Sequence, residues 1–338
     1  MRFIAIRRTE IRRIIILYNR GIVLVKIISS SPTFGKYSNV PVELLKSKGY
    51  EFEVLNYEIT SNEEEFSKAI KEADGLIVGV ETISSVVLSQ AAKLKVIAKH
   101  GAGVDNIDLE AAAEKNIVVT NAPGANRHAV ADMVFGLFLS VARSIPKAHQ
   151  ELKTNKWPRY VGNEIYQKKL GVIGTGKIGR EVIRRAQGFN MRVFCYDRYP
   201  SDDLEHKGLG KYVSWPELIQ ESDFITIHTD LNKESKSLIG KDEFSLMKKN
   251  AFLVNTARGG IVDERALYQA LNNGDIKGAA LDVFEHEPLF ESPLLTLQNF
   301  VATPHMAGYT EEALREVGML TAQNIIDVLE QRQPAFVV

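Results

Sequence analysis

Short apolar runs alternate with stretches whose apolar side chains recur every three or four residues, and the alternation continues from residue 22 almost to the end of the chain. The runs have the length of strands and the periodic stretches the spacing of amphipathic helices. In order, 22–28 reads as a buried strand, 41–48 as a short helix and 51–56 as a half-buried strand. A helix at 63–72, a strand at 76–80, a helix at 84–94, a strand at 95–99, a helix at 109–115 and a strand at 117–120 follow. The Asn121-Ala122-Pro123-Gly124 break then leads into two helices, 126–142 and 145–157. After a second set of strand and helix patterns, 311–330 is one long helix with Ala313, Val317, Leu320, Ile325, Val328 and Leu329 on its apolar face. Strands alternating with helices at this pace predict parallel sheets covered by helices on both sides. The expected organisation is α/β in two similar domains. A cofactor domain at 123–305 is inserted into a domain made of 22–122 and 306–338, preceded by a basic extension at 1–21.

The most informative stretch is 168–197. Leu170-Gly171-Val172-Ile173 is a strand run closed by Gly174-Thr175-Gly176-Lys177-Ile178-Gly179. A helical pattern at 180–187 carries Val182, Ile183 and Ala186, and a second apolar run at 191–196 stops at Asp197. A strand, a tight glycine turn, a helix and a strand in this order form the context that turns a bare GxGxxG into a dinucleotide fingerprint. Gly174 allows the turn, Gly176 lets the backbone approach a pyrophosphate, and Gly179 lets helix and strand pack closely. The helix N-terminus offers N–H groups and partial positive charge to phosphates. Asp197, 18 residues beyond Gly179, is placed to accept from a ribose diol, and its charge favours NAD over NADP.

Composition narrows the classes further. The chain has 338 residues, 45% of them apolar, with 42 basic and 42 acidic side chains. That length suits two domains, and the balance suggests neither a nucleic-acid binder nor a membrane-surface protein. No apolar run approaches the roughly 18 residues of a membrane span. The single cysteine, Cys195, can form no intrachain disulfide, as expected in a reducing cytoplasm, and reads as a small buried hydrophobe. The first 20 residues hold Arg2, Arg7, Arg8, Arg12, Arg13 and Arg20 around the patch Ile14-Ile15-Ile16-Leu17. Without an uninterrupted apolar core and a cleavage site this is no signal peptide. It is expected to be a mistranslated or accessory leader dispensable for activity, with the domain starting near Ile22.

In an open parallel sheet, ligands bind beyond the carboxyl ends of the strands. Those ends carry the glycine turn, Asp197, His228-Thr229-Asp230, Asn255-Thr256-Ala257-Arg258, Asp282 with Glu285 and Glu287 beyond it, and Thr303-Pro304-His305. Arg258 offers a permanently charged fork for a carboxylate. His305 is the side chain best able to exchange a proton near neutrality. A hydrogen-bonded carboxylate such as Glu287 would fix its tautomer and make it a better base, which suits removal of an alcohol proton. His228 reads as a cofactor contact. No HxH or HxxxH spacing is present and there is one cysteine, so no metal site is expected.

HGAGVDNIDLEAA, GTGKIGREVIRRAQGFNMRVFCYD, NTARGGIVDERAL, GAALDVFEHEP and TPHMAGYT, in this order, resemble the D-isomer-specific 2-hydroxyacid dehydrogenases. The resemblance covers about residues 22–330 and is strongest to the D-3-phosphoglycerate dehydrogenase branch. It implies two Rossmann-like domains with the active site in the cleft between them, and homodimers paired through the cofactor domain. It also implies Arg258 as the substrate-binding arginine, Glu287 as the histidine partner and His305 as the acid/base. Asp282 matches the contact to the nicotinamide amide, and Lys177 and Ile178 fall at the pyrophosphate. Thr175, Thr229, Thr256, Ala257 and Gly308 complete the expected cofactor surface. Gly101, Ala102 and Gly103 match the loop that holds the substrate carboxylate, with Val80 and Glu81 facing it.

Three positions depart from the family pattern. Lys99-His100 stand where an arginine and an aromatic are expected, and Val130-Ala131-Asp132 replaces Val-Ala-Glu. Gly79-Val80-Glu81-Thr82 lacks the arginines with which some phosphoglycerate enzymes grip phosphate, a task left to Lys99, Arg127 or a partner subunit. The chain ends at Val338, so serine feedback through a C-terminal regulatory domain is not expected. The resulting expectation is a cytoplasmic NAD-dependent dehydrogenase oxidising D-3-phosphoglycerate to 3-phosphohydroxypyruvate in serine biosynthesis. Reduction of glyoxylate, hydroxypyruvate or another 2-keto acid is the alternative. A non-catalytic, NAD-sensing, corepressor-like binding protein is the reading from another class, and the complete Arg258, Glu287, His305 set argues against it.

Overall fold

Strands buried on both faces must be apolar throughout, and the chain supplies such runs twice over. The computed structural model describes residues 24–338; the basic leader expected at 1–21 and the strand start expected at Ile22 lie outside them. Internal contacts divide the chain into two units, one holding the described residues up to Ala125 with Leu314–Val338, the other Asn126–Ala313. Each is built on a parallel sheet flanked by helices.

The first unit carries β1 (Lys26–Ser29), β2 (Glu51–Val54), β3 (Gly75–Val78), β4 (Val96–Lys99) and β5 (Val118–Thr120), in the spatial order β2-β1-β3-β4-β5. Connecting them are α1 (Val40–Ser47), α2 (Tyr57–Thr60), α3 (Glu63–Ala69), α4 (Ser85–Ser89) and α5 (Leu109–Glu114). Side-chain caps start several of these helices: Asn62 accepts from the Glu64 and Glu65 amides, Ser84 from Val87, and Asp108 from Ala111. Each satisfies a donor that the first helical turn leaves open. The helix expected at 84–94 is only Ser85–Ser89, because tight turns at Ala91 and Ala92 break the ladder and lead the chain into β4.

The second unit has seven strands: β6 (Lys169–Ile173), β7 (Arg192–Tyr196), β8 (Lys211–Tyr212), β9 (Phe224–Ile227), β10 (Phe252–Asn255), β11 (Gly278–Leu281) and β12 (Phe300–Ala302). Their order is β12-β11-β10-β9-β6-β7-β8. The helices are α6 (Arg127–Ala142), α7 (Ile145–Lys153), α8 (Lys177–Ala186), α9 (Asp203–His206), α10 (Trp215–Glu221), α11 (Lys241–Leu246) and α12 (Glu264–Asn273). The two-residue β8 has no counterpart in the expected elements, since two residues carry no periodicity. The helix expected at 145–157 stops at Lys153, where Thr154 bonds back to the Glu151 carbonyl and Asn155 turns left-handed at φ 58°. Cys195 is fully buried, and burial pushes its thiol up to about 12, so it packs as a small hydrophobe. Finally α13 (Glu311–Leu329) sets Ala322, Ile325 and Ile326 against Ile27, Ile77, Val96 and Ala98 of the first sheet.

No single helix among the described residues is long and apolar enough to cross a membrane; α6 and α7 pass that test only as a pair bent by 62°. Nine residues of the 16-residue α6 are buried, so its apolar character belongs to a core. Phe138 on α6 is fully buried and meets Phe224 edge-on at 5.1 Å, while Phe224 stacks on Phe252 at 5.1 Å. Phe138→Ala removes the ring that joins the helix to the sheet. It is expected to cost about 3–5 kcal/mol in urea unfolding; a loss below about 1 kcal/mol, the size of a surface change, would contradict this packing.

Candidate active site

The second sheet grows outward in both directions from β6 and β9, so the tips of these two strands flank a topological switch point, where open α/β sheets bind ligands. Packing dictates glycine here. Gly174 sits at φ +90°, and a Cβ on it would lie 2.5 Å from the His228 carbonyl oxygen. A Cβ on Gly179 would lie 2.1 Å from the Gly174 oxygen, whereas one on Gly176 would meet nothing within 4 Å. Gly174 and Gly179 let the strands and α8 close up, and Gly176 keeps open space where Lys177 and Ile178 begin that helix.

Asp197, at the tip of β7, accepts from the Thr175 amide (2.6 Å) and hydroxyl (2.8 Å) through Oδ2 and from the Tyr199 amide (2.9 Å) through Oδ1. Burial alone would raise its pKa, but these hydrogen bonds and the Arg180 charge outweigh it and keep the carboxylate ionised. Arg198, the neighbour whose charge could welcome a 2′-phosphate, pairs with Glu234. Across the sheet the hydroxyl of buried Thr256 has no hydrogen-bond partner among the described residues. Open backbone at Gly176, a fixed carboxylate at Asp197 and an orphaned hydroxyl at Thr256 fit a dinucleotide carrying free ribose hydroxyls.

The remaining strand tips of this unit carry the ionisable groups. After β10, the Asn255 side chain accepts from the Ala257 amide (2.9 Å) and donates to the Arg258 carbonyl (2.8 Å), which closes the turn that presents Arg258. One guanidinium nitrogen donates to the Ala257 carbonyl at 2.7 Å. After β11, Asp282 is fully buried. Its carboxylate accepts from the Thr303 hydroxyl (2.6 Å) and the Met306 (2.9 Å) and Ala307 (2.8 Å) amides. That clamp folds the segment after β12 back on itself and sets His305 in the left-handed region at φ 50°. Sequence reasoning gave Asp282 to the cofactor and missed this anchoring, which no spacing announces.

His305 Nδ1 lies 2.7 Å from Glu287 Oε2, while Glu287 Oε1 accepts from the Phe284 amide at 2.9 Å. Burial would raise the Glu287 pKa, yet the His305 and Phe284 hydrogen bonds, with the Arg258 charge, hold it below the ordinary value. An ionised carboxylate can only accept, so Nδ1 carries the ring proton and Nε2 is left to exchange one. Thus Arg258, Glu287 and His305 act on one another within this unit. Glu285 turns elsewhere, its amide donating to Glu264 at 2.6 Å. Thr229 is half-buried beyond β9, and Gly308 packs where a Cβ would touch Asn126 at 2.8 Å. Among the described residues no cluster of three or more His, Cys, Asp or Glu could hold a metal ion.

The first unit's candidates lie on two neighbouring loops, since Val78 pairs with Lys99 at the ends of β3 and β4. The carbonyls of Gly101 and Ala102 are tied back by the Ala122 amide (2.8 Å) and the Asn121 side chain (2.7 Å). The amides of Gly101, Ala102 and Gly103 donate to no acceptor among the described residues. Lys99 is buried beneath them, its ammonium bound to the Gly79 carbonyl and, at 2.7 Å, to Asn106 Oδ1. Asn106, unnoticed in the sequence, also donates to the Gly79 (3.2 Å) and Glu81 (2.5 Å) carbonyls. Val80 is 73% exposed beside Glu81.

Two other rings are kept neutral by their surroundings. Desolvation pushes His228, half-buried with Nε2 2.9 Å from the Thr226 hydroxyl, down to about 3. It pushes His100, packed against Phe34 and beside the Lys99 charge, down to about 4. In the unfolded chain both bind a proton near 6.5. The unfolded state therefore holds more protons below that pH, and stability falls as the solution is acidified. The slope is at most about 1.4 kcal/mol per pH unit for each ring. In urea titrations between pH 7 and 5, His228→Gln should show a shallower loss than the wild type, and equal slopes would contradict a neutral, desolvated ring.

Residues 135–307 match the family model described as "D-isomer specific 2-hydroxyacid dehydrogenase, NAD binding domain". A D-3-phosphoglycerate dehydrogenase of Methanocaldococcus jannaschii is 48% identical over 270 residues, 79% of this chain and 52% of that protein. A glyoxylate reductase of Thermococcus litoralis is 40% identical over 76% of this chain and 81% of its own length. The apo-structure of D-lactate dehydrogenase from Escherichia coli superposes with a TM-score of 0.82 at 31% identity, covering 93% of this chain and all of that one. The chain spans about half the length of the phosphoglycerate dehydrogenases it matches, 52% and 55%. With the glycine turn, Asp197 and the strand-tip residues in place, the chain belongs to the D-isomer specific 2-hydroxyacid dehydrogenase family.

Proposed function

We propose that the protein interconverts a D-2-hydroxy acid and its 2-keto acid with NAD. Oxidation takes a hydride from the second carbon and a proton from its hydroxyl, and NAD, when bound, supplies the hydride acceptor. The chain's own task is to hold the acid and move the proton. Residues 174–179, Asp197, His228, Thr229, Thr256, Ala257, Asp282 and Gly308 make up the proposed cofactor surface. Arg258 is the fork for the substrate carboxylate, and the amides of Gly101, Ala102 and Gly103 are assigned to the same carboxylate. His305 Nε2 takes the hydroxyl proton in oxidation and returns it in reduction. Glu287 then faces an imidazolium, and its charge stabilises that form. The observation that carries this reading is the 2.7 Å contact between His305 Nδ1 and Glu287.

D-3-Phosphoglycerate oxidation, with a place in serine biosynthesis, is supported by relatives of that name at 48% and 41% identity. Reduction of glyoxylate or hydroxypyruvate is supported by reductases so named at 40% and 41% identity that this chain spans more fully. The charge of Glu81 favours the second. A homodimer paired through the Asn126–Ala313 unit is part of the proposal. An apolar groove of about 520 Å3, lined by Met133, Leu137, Phe300 and Val301, supports it, as do the exposed Trp157 and Val161. A cytoplasmic setting is proposed from the single buried thiol.

Turnover of a panel of 2-keto acids with NADH, and of 3-phosphoglycerate with NAD, tests the reading. No turnover of any acid would leave the NAD-sensing binding protein as the better account. His305→Ala should lower kcat about a hundredfold or more, the scale of lost general acid–base catalysis; a near-normal kcat would remove His305 from the chemistry.

A further inference from the structure

The first sheet, ordered β2-β1-β3-β4-β5, reverses direction between β1 and β3 and so has a switch point of its own. Glu81 lies there. Its Oε2 accepts from the Ser30 hydroxyl (2.8 Å) at the tip of β1 and from the Gly79 amide (3.0 Å) at the tip of β3. Ser30 is buried, and its other neighbour, the Ile77 carbonyl, stands farther off at 3.3 Å, so its proton goes to Glu81. Two donors from two strands thus fix the carboxylate, and Oε1 has no hydrogen-bond partner among the described residues. One strand further along, the Lys99 ammonium is buried beneath the open amides of Gly101–Gly103. A Cβ on Gly101 would lie 3.6 Å from Lys99 Cε. The rim of this sheet therefore offers open amides at the tip of β4 and a carboxylate at the tip of β3, about one inter-strand spacing apart, ~4.8 Å.

We propose that Glu81 is the specificity-determining residue, selecting a short 2-keto acid with a hydroxyl on its third carbon and rejecting one with a phosphate there. The proposal rests on the dehydrogenase reading and on the carboxylate lying at Gly101–Gly103. From that loop a three-carbon acid reaches across one strand spacing, which brings its third carbon to Glu81. A hydroxyl there donates to Oε1, a charge-assisted bond of the stronger kind. A phosphate places a second negative group against a carboxylate that Ser30 and Gly79 prevent from turning away. The 79–82 loop, Gly-Val-Glu-Thr, has no cation of its own to offset it. Lys99, the cation that reaches this loop, is turned to the Gly79 carbonyl and Asn106 Oδ1.

The test compares kcat/KM with NADH for hydroxypyruvate, glyoxylate and 3-phosphohydroxypyruvate in wild type and Glu81→Gln. The wild type should prefer hydroxypyruvate to its phosphate ester by about a hundredfold or more, as like-charge juxtaposition predicts. It should prefer hydroxypyruvate to glyoxylate, which has no third carbon, by about tenfold. Gln keeps an acceptor for Ser30 and Gly79 but removes the charge. It should therefore raise the ratio of phosphorylated to free acid by about tenfold or more. A general loss of activity moves all three acids alike and leaves that ratio in place. A wild type that prefers the phosphate ester, or a ratio that Glu81→Gln does not move, overturns the assignment while the dehydrogenase reading stands. No oxidation of NADH with any of the three overturns both.

Discussion

A carboxylate without solvent contact, Asp282, holds the segment on which the proposed chemistry depends. Burying a charge is costly unless hydrogen bonds replace the lost water. Here the Thr303 hydroxyl and the Met306 and Ala307 amides supply three. They can do so only if the chain turns back after β12, and the turn leaves His305 at φ 50°, where a side chain costs roughly 1–2 kcal/mol of steric strain. The His305 amide completes the loop by donating to the Asp282 carbonyl at 2.8 Å. The position of the imidazole is thus decided by a residue that never touches it through its side chain. Glu287 fixes the remaining freedom, the rotation of the ring.

Burial distributes the other histidines by the same rule. His100 and His228 are desolvated and neutral at pH 7, so neither takes up a second proton there. His305, with 49% of its side chain exposed, meets the carboxylate of Glu287 on one side and is open on the other. Charge follows a parallel division in the first unit. Lys99 is taken inward by Gly79 and Asn106, and Glu81 is anchored on one oxygen and open on the other. Both sheets place these groups at strand tips: His305 follows the edge strand β12, and Glu81 and Lys99 stand at the ends of the neighbouring strands β3 and β4.

Much of this was legible in the sequence because parallel strands buried on both faces must be unbroken apolar runs. Each run ends where its chemistry begins, so Asp197, Arg258 and His305 stand out as the first ionisable residues after β7, β10 and β12. The glycine turn was legible because steric crowding at Gly174 and Gly179 leaves no alternative residue. What could not be read are partnerships between residues far apart in the chain. Ser30 and Glu81 are separated by 51 positions, and Thr303 and Asp282 by 21. Nothing in their spacing distinguishes them from solvated loop residues. Asn106 was overlooked for the same reason. Local pattern also misjudged lengths, since 84–94 and 145–157 keep helical periodicity beyond the turns at Ala91 and Asn155 that end their helices.

The proposed proton transfer requires Glu287 to hold His305 in the tautomer with the proton on Nδ1, leaving Nε2 to exchange one with the substrate. Side-chain nitrogen NMR of uniformly 15N-histidine-labelled protein tests it most directly, with His305 assigned by comparison with His305→Gln. A free neutral imidazole favours the proton on Nε2, so the outcome is diagnostic. Neutral His305 is expected to show a protonated Nδ1 and a bare Nε2, and Glu287→Gln to abolish this preference. A neutral ring protonated on Nε2, or one that exchanges freely between the two forms in the wild type, would contradict it.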